Sequence, residues 1–454
     1  MFKIGFLLLL ILLFLSSCTT IKKESNISET ASGIISEKPN IILIMADDLG
    51  YGDVGFNGNT TIKTPAIDQW ALDGIKFNRF YAATPVCSPT RGSVLTSRHP
   101  FRYGIYFAIS GHVKQQKVLL PEVLKQQGST TGHFGKWHLG TLTDEEQNRW
   151  GGWDKDPASN FSPPWLNGYD ACFVTESKVP TWNPMYDKKY TLLDGSIQEE
   201  APRYHTDYWE GPSRKAKKNL KGDDSLVIMD RVIPFIEVAV EKNQPFFSII
   251  WFHTPHKPVI ADPEYRTMYS RHTEYEQNYF GCITAMDDQI GRLRSKLQEL
   301  GIEENTMIWF CSDNGPEGKI IDPDSSLGSA GIFNGRKPSL LEGGIRVPAF
   351  MGVLDIHKKG YENPIDGVSL KLMMEGGMSA RNSPIGFKNQ TQRAWIAERY
   401  KIYSNDNGNT FKLFDLIDDP MEKNNLATQL AGIKADFLKW ETSCANSDER
   451  NDYR

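Results

Sequence analysis

Three runs of apolar residues stand out along the chain, each nearly continuous and each ending abruptly in polar side chains. Ile41-Ile42-Leu43-Ile44-Met45-Ala46 stops at Asp47-Asp48, and Phe246-Phe247-Ser248-Ile249-Ile250-Trp251-Phe252 stops at His253-Thr254-Pro255-His256. Met307-Ile308-Trp309-Phe310-Cys311 stops, after Ser312, at Asp313-Asn314-Gly315. A strand with one wet face alternates apolar and polar positions, whereas near-continuous apolar strands belong to sheets covered on both faces. Helical punctuation lies between the runs. Thr64 is placed to cap and Pro65 to open a helix closing at Gly74, and another runs from near Pro121 to Gly128. Strands alternating with helices predict an α/β sheet, which binds ligands beyond the carboxyl ends of its strands. All three polar clusters fall at such ends, so convergence on one site is expected.

The pattern shortens after about residue 350. Arg393–Ile396, Tyr400–Tyr403 and Phe411–Leu416 read as short strands joined by turns such as Asn405-Asp406-Asn407-Gly408, with helix-prone residues after them. This predicts a smaller α+β subdomain over 351–454 beside a main domain over 39–350. At the other end, Lys3 precedes an apolar run from Phe6 to Leu15. The run is shorter than the roughly 20 residues that span a bilayer and reads as the core of a secretory signal. It ends Leu15-Ser16-Ser17-Cys18, which resembles a bacterial lipobox. The resemblance implies cleavage of residues 1–17, lipidation of Cys18, and a tether over 18–38 with nothing to bury. The location it predicts is the bacterial cell envelope, lipid-anchored on the outer membrane.

Composition narrows the class. A chain of 454 residues exceeds one ordinary core, and 39% hydrophobic with 24% charged residues is the balance of a globular protein. A net charge of −5 offers no general attraction to nucleic acid, so any pull on an anionic ligand is local. Apart from Cys18 and Cys87, four cysteines remain: Cys172, Cys282, Cys311 and Cys444. A disulfide-permissive compartment leaves their pairing open, although Cys311, inside an apolar strand, reads as a buried thiol.

The chemistry concentrates in a few segments. Cys87-Ser88-Pro89-Thr90-Arg91 places an oxidisable nucleophile at a helix N-terminus, where free amides and the macrodipole favour an anion, and Arg91 adds a permanent charge. Asp47-Asp48 and Asp313-Asn314 offer hard oxygen donors, which favour calcium or magnesium over zinc. In Gly135-Lys136-Trp137-His138, an extended chain would put Lys136 and His138 on one face and turn Trp137 into packing.

Cys87 to Arg91, with the apolar run ending Thr96-Ser97-Arg98, resembles the signature of the type I, formylglycine-dependent sulfatases. Ser97 stands where that family usually has glycine. The resemblance continues in family order through the two acidic pairs, Lys136 and His138, His253-Thr254-Pro255-His256, Lys337, and Glu342-Gly343-Gly344-Ile345-Arg346-Val347-Pro348. It implies an alkaline-phosphatase-like fold, a large, mostly parallel mixed sheet sandwiched by helices. It also implies oxidation of Cys87 to formylglycine by a formylglycine-generating or anaerobic sulfatase-maturating enzyme. One divalent cation, calcium or alternatively magnesium, would lie on Asp47, Asp48, Cys87, Asp313 and Asn314. Cys87, Arg91, Lys136, His138, His256 and Lys337 would be catalytic, while Glu342 and Arg346 brace a loop. In the implied mechanism a hydroxyl of the hydrated aldehyde attacks sulfur, with Asp313 as base and His256 as general acid. His138 then deprotonates the second hydroxyl to expel sulfate. Asn314, in place of the histidine common in related phosphonate and phosphate hydrolases, favours a sulfatase.

Substrate signals lie between Trp150 and Lys221. Five of the eleven tryptophans (Trp150, Trp153, Trp165, Trp182 and Trp209) sit among prolines and polar residues, and around the last of them come Arg203, His205, Arg214, Lys215, Lys217, Lys218 and Lys221. Tryptophan faces stack on sugars and a basic run suits a polyanion. With the lipid anchor these predict a sulfated polysaccharide or its oligosaccharides, such as ulvan, carrageenan or a glycosaminoglycan, with Trp182, His205 and His253 contacting substrate. Two other readings fit the same residues: a phosphonate or phosphodiester hydrolase of the superfamily, and an inactive glycan-binding lipoprotein.

Overall fold

The computed structural model describes residues 38–115, 118–145, 157–192, 194–318, 328–352, 383–426 and 431–445. The predicted signal, Cys18 and the tether up to residue 37 lie outside the described residues, as do Trp150 and Trp153.

The main sheet has eight strands: β1 (Asn40–Ala46), β2 (Ile75–Lys76), β3 (Thr130–Lys136), β4 (Ala171–Thr175), β5 (Tyr208–Trp209), β6 (Phe246–Trp251), β7 (Thr306–Ser312) and β8 (Ala349–Gly352). Their order is β2-β8-β7-β1-β6-β3-β4-β5. The five central strands are parallel and the flanking ones antiparallel. The three apolar runs are thus neighbours at the centre. Along β1 the side chains divide as a doubly covered strand requires: Ile42, Ile44 and Ala46 enter one core, Ile41 and Met45 the other. Each fully buried isoleucine contributes roughly 1.5–3 kcal/mol over an exposed one, so register is strongly fixed.

Helices α1 (Pro65–Asp73), α2 (Cys87–Thr96), α3 (Leu120–Gln126), α4 (Asp224–Glu241) and α5 (Glu274–Glu299) cover the sheet. The predicted cap of α1 is corrected by the structure. Thr64 Oγ1 turns to the Gly55 amide and Asp68, and the open amides of Ala66 and Ile67 are held by Asp287 of α5 at 3.0 and 2.7 Å. A residue more than two hundred positions away does the capping, which local sequence cannot show.

A four-stranded antiparallel sheet follows: β9 (Ile385–Asn389), β10 (Gln392–Ile396), β11 (Tyr400–Ser404) and β12 (Lys412–Asp415), with α6 (Ala431–Ala445) on one face. The predicted three strands are present, and β9 is additional. Trp395, Ile402 and Leu413 pack on Phe437 of α6, while Phe387, Ala394 and Phe414 pack on Leu340 and Ile345. The small sheet therefore braces the segment that follows Lys337. Cys87, Cys172, Cys282 and Cys311 are free thiols.

Candidate active site

The parallel register brings the strand ends level. Ala46 pairs with Ser312 and Met45 with Trp251, and the ladder continues as the Asp47 amide donates to Thr254 O (2.9 Å) and that of Asp313 to Ala46 O (3.1 Å). Asp47, Asp48, Asp313, Asn314, Lys136 and His256 consequently meet at one edge. Cys87 is the first residue of α2, with Pro89 two residues further in rather than opening the helix. At the far end Ser97 adopts the left-handed conformation, φ 56°, that glycine would take without strain.

Charges interlock below Cys87. Lys136 Nζ lies 2.6 Å from Asp47 Oδ2. Lys337 Nζ lies 2.8 Å from Asp48 Oδ1 and 3.2 Å from Cys87 Sγ. Arg91 donates from Nε and Nη2 to Asp313 Oδ2 at 3.1 and 2.7 Å, and its guanidinium rests on the Trp251 ring. Three carboxylates face three permanent cations, so the pocket is close to neutral before any ligand arrives. Burial would raise Asp47, but Lys136, His256, Arg91 and Lys337 together outweigh it and hold it well below the carboxylate range. Burial, aided by Asp47, pushes Asp313 up to about 7 despite Arg91. Burial also pushes the Cys87 thiol up to about 12. An unmodified thiol here keeps its proton at neutral pH and is a poor nucleophile.

A divalent cation fits this pocket. Asp47, Asp48, Cys87 and His256 place one ligand atom each within 4.8 Å of one another, and Asp47 Oδ1 and Asn314 Oδ1 are buried acceptors with no hydrogen-bond donor. Orphaned buried oxygens are costly unless something positive fills the gap. Asp313 differs from its neighbours, because Oδ2 serves Arg91 and Oδ1 accepts the Asp48 amide at 3.1 Å. Asp48 and His138 both have positive φ, 66° and 58°. The chain therefore turns at His138, and the extended-strand argument for Lys136 and His138 is replaced by this turn. Trp137 is buried as expected, its indole donating to Ser162 O.

The histidines differ in role. His256 Nδ1 bonds Lys257 O at 2.7 Å, leaving Nε2 3.7 Å from Asp48 Oδ2. Burial, with Lys136 and Lys337 and against Asp47, lowers it to about 3, so the resting ring is neutral. His138 is likewise held neutral by burial and by Lys136 and Arg91. His253 corrects the sequence reading. It is fully buried, with Nδ1 at 2.8 Å from Asp224 and Nε2 at 2.7 Å from Thr175 Oγ1, so it faces no substrate.

The predicted substrate surface also changes. Trp182 is half-buried and its indole donates to Gly195 O at 2.8 Å. Trp165 packs against the core and Trp209 is buried in β5, so these three tryptophans serve packing. His205 is exposed. Much of the basic run is neutralised locally: Arg203 and Lys215 reach Asp207, and Arg214 reaches Glu210. One functional neighbour was missed. Glu176, buried just after β4, accepts the Leu142 amide at 3.0 Å while its carbonyl takes the His138 amide. The signal was present, since Cys172-Phe173-Val174 also ends in a polar cluster.

The Glu342–Arg346 brace is present at 3.3 Å and belongs to a larger network. Lys401 Nζ donates to Glu342 Oε1 at 3.0 Å and pairs in charge with Glu422 Oε1 at 2.9 Å. Asn389 and Gln392 donate to Pro338 O beside Lys337.

The sulfatase family profile matches residues 39–369, and the chain belongs to that family. It is 32% identical over 327 residues to N-acetylgalactosamine-6-sulfatase of Mus musculus, covering 69% of this chain and 57% of that protein. The chain thus spans little more than half the length of that curated relative. Among solved structures it is similar to Ps i-CgsB in complex with k-i-k-neocarrahexaose, with a TM-score of 0.74 at 24% identity, covering 91% of this chain and 94% of that one. A phosphonate monoester hydrolase of Agrobacterium radiobacter shares the fold at a TM-score of 0.59 and 18% identity, covering 90% and 95%. The fold is common to both chemistries, so the reaction is argued from the site.

Proposed function

We propose that the protein is a sulfuric ester hydrolase that removes sulfate from a sulfated carbohydrate. The observation that carries this is Cys87 at the head of a buried helix, 3.2 Å from Lys337, above the Asp47, Asp48 and Asn314 oxygens. Asp47, Asp48, Asp313 and Asn314 would hold a divalent cation, which supplies positive charge to polarise the sulfate and favour an oxygen nucleophile. Calcium is the metal this all-oxygen set favours. Oxidised to formylglycine, Cys87 supplies a hydrated aldehyde in place of an inert thiol.

The chain's own residues do the rest. Lys136, Lys337 and Arg91 are fixed before substrate binds, so charge developing on the sulfate oxygens meets preorganised partners. Asp313, held by Arg91 at 2.7 Å and near enough to Cys87 to act on its charge, is the candidate base. His256 aims a bare Nε2 at the site; an arriving anion favours its protonation, and the proton then passes to the leaving alcohol. His138, neutral and buried, takes a proton when sulfate departs.

The carbohydrate reading is supported by the sugar-named relatives and by the exposed Lys217, Lys218 and Lys221 of the outer loops. A lipobox at Cys18 supports anchoring in the cell envelope. Parallel assays with 4-nitrophenyl sulfate, 4-nitrophenyl phosphate and a phenylphosphonate ester test the reaction class. Sulfate ester turnover should dominate; dominant phosphonate or phosphate turnover would reassign the site.

A further inference from the structure

The chain that follows His256 walls a second hollow. Pro258, Ile260 and Ala261 line one side of a cavity of about 550 Å³, and Asp187, Lys188, Lys189, Thr191, Gly195 and Arg266 are among the residues lining the rest. Consecutive Cα atoms are about 3.8 Å apart, so Pro258 stands within about 8 Å of His256.

The hollow is braced rather than incidental. Thr181 fixes the near wall, donating from its amide to Pro258 O at 3.1 Å and from Oγ1 to Ile260 O at 2.5 Å. Trp182 and Asn183 fix the far wall by donating to Gly195 O at 2.8 and 3.0 Å. Adjacent residues of one stretch of chain thus hold both walls apart, and the volume lies in the range of small-molecule pockets.

Its lining asks for an anion. Lys188, Lys189 and Arg266 outnumber Asp187 and Glu274. Lys188 is half-buried; its ammonium lies 5.6 Å from the Tyr275 ring, with no hydrogen bond or close ion pair among the described residues, and Glu274 attracts it only through space. Thr191 Oγ1 is buried without a hydrogen-bond partner. An ammonium partly out of water with no bonded counter-charge and an unused hydroxyl beside it are both improved by an oxyanion-bearing, hydroxyl-rich ligand.

We propose that this cavity is a second saccharide subsite, holding a sulfated or carboxylated sugar residue of the same glycan whose other residue is desulfated at Cys87. The proposal rests on the carbohydrate reading above, and gives Trp182 the part of holding the Gly195 wall of the cavity.

The test uses mature protein with Lys188→Ala and the conservative Lys188→Arg. Turnover is measured on tetrasaccharides prepared from carrageenan and from chondroitin sulfate, and on 4-nitrophenyl sulfate. Lys188→Ala should raise KM for the tetrasaccharide that is cleaved about tenfold, the loss of one charge-assisted contact. It should leave kcat, thermal stability and all aryl sulfate constants unchanged, and Lys188→Arg should restore KM. Unchanged tetrasaccharide KM, or equal losses on both substrate types, would overturn the subsite while leaving the sulfatase reading intact. An enzyme that cleaves the aryl sulfate but neither cleaves nor, as Cys87→Ser, binds either tetrasaccharide by calorimetry would overturn the subsite and the carbohydrate reading together.

Discussion

Replacing Lys401 with methionine should destabilise the protein severely, and more so as pH rises. Lys401, Glu342 and Glu422 have no exposed side-chain surface, and the ammonium lies 2.9–3.0 Å from one oxygen of each carboxylate. Burial would depress Lys401, but Glu422 and Glu342 outweigh it and raise it. Burial would raise Glu342, but Lys401 and Arg346 keep it lowered, whereas burial and Glu342 leave Glu422 raised even with Lys401 present. With Lys401 gone, Glu342 keeps Arg346 and the Tyr81 hydroxyl while Glu422 keeps only the Glu342 amide and no paired cation among the described residues, and breaking a buried pair in this way costs roughly 3–5 kcal/mol. That is a large part of the roughly 5–15 kcal/mol that typically holds a domain folded. The sign with pH follows from linkage. A folded carboxyl raised above its unfolded value of 4.5 favours folding below that value, and the contribution is lost as pH climbs through the folded pKa. In the variant this rise is larger, so the deficit should be larger near about pH 8 than near about pH 5. Urea unfolding followed by tryptophan fluorescence at both pH values measures it. Lys401→Met combined with Glu422→Gln should recover much of the loss at the higher pH. A deficit below about 1 kcal/mol, within the range of exposed ion pairs, or one equal at both pH values, would refute the reasoning. Because Glu342–Ile345 also abuts the Lys337 loop, kcat should fall in the surviving folded fraction.

The catalytic and anchoring assignments make three further predictions. In a host with a maturation system, the peptide containing Cys87 should lose two hydrogens and sulfur and gain one oxygen by mass spectrometry, and Cys87→Ser should fold normally with no turnover. Chelation should abolish activity and calcium should restore it better than zinc; Asp47→Ala should lose about a hundredfold or more in kcat even at high calcium, measured on 4-nitrophenyl sulfate. Full-length protein expressed in a lipoprotein-processing bacterium should incorporate labelled palmitate, and Cys18→Ala should not; labelling that survives the change would remove the anchor assignment.

Much of this protein was legible in sequence because its decisive elements are local. An unbroken run such as Ile41–Ala46 has one stable home, a strand covered on both faces, and the acidic pair after it must then sit at the strand's carboxyl end. The same logic placed Asp313-Asn314 and the His256 loop, and family motif order supplied Cys87, Lys136 and Lys337. What sequence left open were features that depend on partners distant along the chain. His253 reads like His256 in sequence, yet Asp224 and Thr175 close over both its nitrogens and remove it from the site. Thr64 has the chemistry of a cap, but Asp287 reaches its helix first. The tryptophans and basic residues of the outer loops suggested an open sugar platform; packing turned the described indoles inward, and Asp207 and Glu210 met several of the cations. The cavity beside Pro258 has no sequence signature, because its walls are set by hydrogen bonds from Thr181, Trp182 and Asn183 to backbone carbonyls. Periodicity and motif spacing record which residues face a core or carry a chemistry, but which of two chemically equal side chains is left facing solvent is decided only when the folded chain supplies their neighbours.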